Sequence, residues 1–206
     1  MKILFTFLLL TISISSFAQD SISYKSYRSV WSIIPHFGVG DKQTRSSFTT
    51  YGGIGLRREF SLFKLLSLNA IVSYSSAYGK YGQPNLNTLS AGGGLTVYPI
   101  YFYDLIFGKT FLKMRGDEKS KADVYFDISV EYNLNNTKYG SSSSVPNLRA
   151  EYNFGRGNLN KILFLSPKFG FQFLSLEQPI GSNNHKHYSF YYIGAAIGLN
   201  PKLKNR

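Results

Sequence analysis

The stretch ADVYFDISVEYNLNN, residues 122–136, decides the fold of this chain. From Val124 to Leu134 every even position is apolar or aromatic, while the odd positions include the carboxylates Asp127 and Glu131. Successive side chains of a β-strand point to opposite faces, so this stretch predicts a strand with one apolar and one polar face. The apolar face of such a strand has to be covered.

The same alternation recurs along the chain, and the sequence predicts eight strands in all. Besides the opening stretch, it is found in residues 29–40, 48–60, 65–78, 86–99, 147–155, 162–175 and 187–199. No helical period of comparable strength is present to cover a sheet face. The strands must therefore close on themselves as a barrel or stack as a sandwich.

The first residues predict export from the cytoplasm. Lys2, the apolar run that follows it and the small residue Ala18 are typical of a signal peptide over residues 1–18, which leaves residues 19–206 as one barrel domain. The absence of cysteine excludes disulfides and thiolate metal sites, and we expect no cofactor. The formal net charge is +12, but export argues against nucleic acid as a partner.

The connections between the predicted strands alternate in length. Gly-, Ser-, Asn- and Lys-rich loops, such as DKQTRSS and NTKYGSSSSVP, alternate with short turns such as SLFK and RGNLN. Short turns on one rim and longer polar loops on the other are typical of outer-membrane barrels, with both termini on the periplasmic side.

The last strand carries a second signal. Tyr192, Gly194, Ile197 and Leu199 resemble the assembly signal in the last strand of Gram-negative outer-membrane barrels, although this chain continues with PKLKNR instead of ending at an aromatic residue. Taken together, the signal peptide, the eight strands and this terminal signal mean that the chain resembles the small, eight-stranded Gram-negative outer-membrane β-barrel family. The resemblance implies an all-β, closed, antiparallel up-and-down transmembrane barrel. It also implies outer-membrane lipid, lipopolysaccharide and the assembly machinery as partners, with an unidentified surface partner.

In this fold the polar face of each strand fills the lumen, because an interior of this size holds only side chains. The predicted lumenal cluster consists of His36, Arg57, Glu59, Asp127, Glu131, Arg149, Glu151 and Lys168. A hairpin about Gly140 would place Glu131 opposite Arg149, and the next hairpin would place Arg149 opposite Lys168. The pattern favours a structural plug of ion pairs. A proton path or a paired-carboxylate catalytic site stays open as the alternative.

Aromatic residues at the strand ends predict two interfacial belts. The candidates are Trp31, Phe60 and Tyr98 on the periplasmic side and Phe48, Tyr74 and Tyr132 on the outer side. Residues 100–121, which include Arg115-Gly116-Asp117, occupy the place of a short turn. Whether this segment extends the neighbouring strands or forms an interfacial helix stays open.

One pair of residues bears on catalysis. His187 and Ser189 share a strand face and resemble the His/Ser pair of lipid A deacylases, where histidine activates serine against an acyl ester. Phe190 stands where that family has Asn. The main hypothesis is a non-enzymatic outer-membrane barrel with a closed lumen and a structural or surface-interaction role. The alternatives are an enzyme acting on lipid A acyl chains and a soluble periplasmic barrel that binds an apolar ligand.

Overall fold

A computed structural model describes residues 30–62, 65–99, 124–137, 140–155, 157–158, 163–176, 179 and 185–199. The predicted signal peptide over residues 1–18 and the segment 100–121 with its Arg115-Gly116-Asp117 tripeptide lie outside the described residues. The described part of the chain is almost entirely strand, as the period-two pattern predicts.

The strands follow one another in chain order, with one short helix in the first loop. Their bounds are β1 Trp31–Gly40, β2 Phe48–Ser61, β3 Leu66–Gly79, β4 Leu86–Val97, β5 Val124–Thr137, β6 Gly140–Phe154, β7 Gly157–Asn158, β8 Leu163–Ser175 and β9 His187–Leu199, and the helix α1 spans Thr44–Ser47. The carboxylate of Asp41 accepts the Thr44 N–H at 2.7 Å and so satisfies a donor at the start of α1.

Every neighbouring pair of strands is antiparallel, and the sheet closes. β1 pairs with β2 on one side and with β9 on the other, and β6 pairs with β8. The two-residue β7 pairs with β8 just beyond β6, at Gly157 opposite Leu165, so it continues β6 along the same edge. The structure is therefore a closed up-and-down barrel of eight strands around its circumference, which confirms the predicted fold.

The start of β1 and the end of β9 lie at the same end of the barrel as the β2–β3 turn. The loops at the opposite end differ in length. The β3–β4 loop turns through Tyr81 and Gly82, whose φ angles are 52° and 79°. The sequence predicts NTKYGSSSSVP as a loop, and this prediction is wrong. β5 extends to Thr137 and β6 begins at Gly140, because most of this polar stretch pairs as strand.

Most large apolar side chains of the strands face outward, and the described charged side chains of the strands other than Arg58 face inward. In β5, Ile128 is 52% exposed and Val130 is 49% exposed. The alternate residues Asp127 and Glu131 are 5% and 0% exposed. A barrel with an apolar ligand cavity needs the opposite arrangement. The exterior of this barrel is the apolar surface.

Two of the residues predicted for the interfacial belts lie inside the barrel instead. The register of β2 against β3 shifts between Phe48 and Tyr51, and this bulge turns Phe48 inward, where it is buried. Tyr98 is also buried, and its hydroxyl donates to the carboxylate of Glu59. Trp31, Phe60, Tyr74 and Tyr132 are exposed on the outside. In the part of the chain that the structure describes, no helix has the length and apolar character needed to cross a membrane.

Candidate functional site

The polar side chains that fill the barrel are the candidate site. The sequence predicts eight residues for the lumen, and all eight face inward and are buried: His36, Arg57, Glu59, Asp127, Glu131, Arg149, Glu151 and Lys168. They come from strands β1, β2, β5, β6 and β8, so closure of the sheet brings them together.

Asp127 is the centre of the first group. Arg57 binds its carboxylate with both terminal nitrogens, at 2.5 Å from Nη1 to Oδ2 and 2.7 Å from Nη2 to Oδ1. The Thr96 hydroxyl donates to Oδ1 at 2.5 Å, and Lys168 Nζ donates to Oδ2 at 2.9 Å. Two cations and a hydroxyl thus replace the water that this carboxylate loses on burial.

Glu151 is the centre of the second group. Lys168 Nζ donates to its Oε2 at 2.9 Å, and the hydroxyl of Tyr192 donates to its Oε1 at 2.7 Å. Arg149 Nη1 lies 3.7 Å from the same Oε1, and Arg149 Nε lies 2.6 Å from Oε1 of Glu131. Lys168 bridges the two groups, because its ammonium contacts both Asp127 and Glu151.

The strand register differs from the predicted one. Glu131 lies opposite Asn147 and Arg149 lies opposite Ser129, which is two residues away from the expected pairing. Arg149 also lies opposite Gln172, and Lys168 lies opposite Asn153. The predicted direct oppositions are therefore wrong. The Glu131–Arg149 ion pair forms along a diagonal, which long side chains can span.

His36 lies inside the barrel but outside the ion pairs. Its Nδ1 lies 3.3 Å from the carbonyl oxygen of Ile34, and its ring lies against the rings of Tyr51 and Tyr192, with centroids 5.4 and 4.9 Å away. No carboxylate of the described residues forms an ion pair with it. His36 therefore belongs to the aromatic packing, in contrast to its predicted place in the ion-pair cluster.

An aromatic cluster fills the lumen at the end opposite the start of β1 and the end of β9. Tyr51 stacks on Phe190 with centroids 4.4 Å apart, and Phe48 meets Tyr188 edge to face at 5.1 Å. The buried members of this aromatic cap are Phe48, Tyr51, Ala77, Leu86, Leu174, Leu176, Tyr188, Phe190 and Tyr192. Sequence reasoning missed the cap. Its one signal is the run HYSFYY, in which both faces of a strand carry aromatic residues.

The residues of the predicted assembly signal divide between the two faces of β9. Tyr192 is buried and points inward, and its ring lies over Gly170, where any side chain on residue 170 would collide with it. Gly194 lies beside His36. Ile197 and Leu199 are exposed on the outside. The role of these residues in assembly stays a prediction.

His187 and Ser189 lie away from the lumen, at the outer surface. The Nδ1 atom of His187 lies 2.8 Å from the hydroxyl of Ser175, and its ring stacks on Phe173 with centroids 5.7 Å apart. The imidazole therefore contacts Ser175, and the described contacts give it no acidic partner. The described residues also contain no group of His, Asp and Glu side chains that could hold a metal ion.

Comparison with known proteins is informative for the fold alone. No protein family model and no curated protein matches this sequence. Among solved structures, the crystal structure of Neisserial surface protein A is similar, with a TM-score of 0.51 and 10% sequence identity. The match covers 83% of this chain and 95% of that chain. The two proteins share a fold.

Proposed function

We propose that this chain is an integral outer-membrane β-barrel with a closed, ion-pair-filled lumen and a structural or surface-interaction role, and that it is not an enzyme. In this proposal residues 1–18 direct export and are removed, residues 19–206 form the barrel, and both mature termini are periplasmic. The observation that carries the proposal is the distribution of polarity, with the ion pairs inside and a continuous apolar surface, interrupted among the described side chains only by Arg58, outside.

The exterior supports a position in lipid. Soluble monomers rarely expose a continuous apolar patch above about 600 Å², whereas here apolar side chains surround the barrel on every strand whose side chains are described. Aromatic residues gather toward both ends of this surface. Phe126, Tyr152 and Phe154 lie together near the end where β1 starts, and Phe171 and Tyr191 lie together toward the other end. Aromatic belts of this kind match the two interfaces of a bilayer.

The interior supports a closed lumen. The ion pairs centred on Asp127 and Glu151 fill the lumen toward the end where β1 starts and β9 ends, and the aromatic cap fills the opposite end. An eight-stranded barrel has room for side chains but not for a channel as well. We therefore favour a structural role for the ion pairs, and we do not propose porin-like diffusion or a proton path.

The surface role is a proposal drawn from the loops and from the structural likeness. The similar solved structure is that of a protein named as a surface protein. In this chain the loop helix α1 and the loops near it expose Lys42 and Arg45, which would suit the phosphates of lipopolysaccharide. The assembly machinery of the outer membrane is the other expected partner.

Fractionation tests the membrane position. We expect the mature chain to remain in the membrane pellet after sodium carbonate extraction and to migrate faster on a gel unheated than boiled. Surface protease should cut only in the longer loops. Recovery of the chain in the soluble periplasmic fraction would refute the proposal.

Electrical recording tests the closed lumen. We expect purified barrel in a planar lipid bilayer to give no steady, large conductance steps. The matched variants are Lys168→Ala, within the ion pairs, and Lys80→Ala, in the β3–β4 loop. Steady large steps from the unaltered barrel would contradict a filled lumen.

A further inference from the structure

The outward face of the barrel carries one side chain that does not belong on an apolar surface. Arg58 of β2 lies between the outward-facing residues Leu56 and Phe60. Among the outward positions whose side chains the structure describes, no other carries Asp, Glu, Lys or Arg. One permanent cation therefore lies in a band that is otherwise uncharged.

Two aromatic rings hold the Arg58 guanidinium in place. Its central carbon lies 5.4 Å from the ring centroid of Trp31 and 5.4 Å from that of Phe60. Cation–π contacts of this kind stabilise a guanidinium without neutralising its charge. On the β3 side the residue opposite Arg58 is Ala70, whose small, exposed side chain leaves the surface open beside the guanidinium.

The charge of Arg58 has no carboxylate partner among the described residues. The ion pairs formed by the described residues lie in the lumen, and neighbouring Glu59 points inward to Arg57 and Tyr98. An unpaired cation is costly at the centre of a bilayer but costs little near the interface. An anion supplied from outside the protein would remove the remaining cost.

The position of Arg58 along β2 shows which of the two membrane interfaces it is near. It lies opposite Trp31, which is the first residue of β1, and it is three residues from Ser61, where β2 ends. This is the end where β1 starts and β9 ends, which is periplasmic in the proposed topology. Three strand residues span about 10 Å, and an arginine side chain can extend over part of that distance to the headgroups.

We propose that Arg58, Trp31 and Phe60 form a binding site for the phosphate of an anionic phospholipid in the periplasmic leaflet. The guanidinium binds the phosphate by paired N–H donors, as its planar geometry favours. The acyl chains of the lipid lie along the apolar strip of Leu56, Leu68 and Ala70 beside it. This inference rests on the proposed outer-membrane position, because that position supplies the lipid.

Trp31 allows the site to be observed directly, because it is the one tryptophan of the chain. The barrel is reconstituted in phosphatidylcholine vesicles that contain phosphatidylglycerol, with bromine on the acyl chains of one lipid at a time. Bromine quenches the fluorescence of a nearby indole. We expect brominated phosphatidylglycerol to quench Trp31 more strongly than its mole fraction predicts, and salt to reduce the excess.

Substitutions separate the site from general attraction to a basic protein. Arg58→Gln should lower the preference for phosphatidylglycerol about five-fold, the change that corresponds to about 1 kcal/mol per basic residue near an anionic surface. Arg58→Lys should retain part of the preference. Lys80→Gln, which removes a cation from the loop at the other end of the barrel, should retain all of it. Heat-modifiable gel mobility verifies that each variant is folded.

The outcomes are distinct. Equal quenching by both lipids in the unaltered barrel, or an unchanged preference in folded Arg58→Gln, would overturn the binding site and leave the membrane position intact. A stronger effect of lipopolysaccharide than of phosphatidylglycerol on Trp31 would also overturn it, since the site would then lie in the outer leaflet. If neither brominated lipid quenches Trp31, the protein is not in the bilayer and the proposed function itself fails.

Discussion

Lys168 on β8 donates to Oδ2 of Asp127 on β5 at 2.9 Å, although β6 lies between these two strands. The same ammonium donates to Oε2 of Glu151 on β6 at 2.9 Å. One cation thus joins three strands through the lumen. Both carboxylates are buried, so their charges depend on this contact for compensation.

Lys168→Met should therefore destabilise the barrel strongly. Removing one partner of a buried ion pair costs about 3–5 kcal/mol, because the remaining carboxylates stay buried with too little positive charge. Guanidinium unfolding from phospholipid vesicles, followed by Trp31 fluorescence, measures the change. The matched variant Lys80→Met alters an exposed loop and should change the free energy of unfolding by less than about 0.5 kcal/mol. Equal stability of both variants would show that the lumenal ion pairs are not required.

Val72→Arg tests whether lipid or water covers the exterior. Val72 is in the middle of β3, and arginine near the middle of a lipid-facing surface costs about 2–4 kcal/mol, whereas near an interface it costs about 0–1 kcal/mol. Tyr78→Arg is the matched variant, because Val72 and Tyr78 are each 52% exposed, but Tyr78 lies at the loop end of β3. We expect a large loss of stability in vesicles for Val72→Arg and a small one for Tyr78→Arg. A negligible effect of Val72→Arg would indicate water outside the barrel.

Gly170→Val should displace the Tyr192 ring that lies over this glycine. The expected cost is about 1–3 kcal/mol, which is typical of overpacking a filled interior. Adding Tyr192→Ala should make the double variant more stable than the sum of the single changes predicts, since the valine then enters vacated space. Ala91→Val on the outward face is the control and should cost little. Additive effects would mean that the ring and residue 170 do not compete.

His187→Ala and Ser175→Ala should leave the acylation of lipid A unchanged. The contact between these side chains is 2.8 Å, but it lies at the surface and the described contacts include no acidic residue to orient the histidine. Mass spectrometry of lipid A from cells that express each variant measures the outcome. Loss of an acyl-chain change that the unaltered protein produces would restore the enzymatic alternative, and Ser189→Ala would then show which serine reacts.

Apart from β6, which begins at Gly140 instead of Asn147, the predicted strands agree closely with the observed ones, because period-two alternation is local. Each strand carries its own two faces, so residues such as Ile128 and Asp127 are assigned to opposite sides without knowledge of their neighbours. A single extra residue in a strand reverses which side chains face inward, so the alternation then assigns them to the wrong face. The bulge between Phe48 and Tyr51 turns Phe48 inward, and no local pattern signals that the register changes there.

The sequence by itself determined that this chain forms strands with one apolar and one polar face, and its connector lengths and last strand favoured a closed barrel over a sandwich. Only the tertiary structure decided which charges meet. Asp127 and Lys168 come from strands that are not neighbours, and their approach depends on the curvature and stagger of the closed sheet. These are properties of all the strands together, so no single strand encodes them.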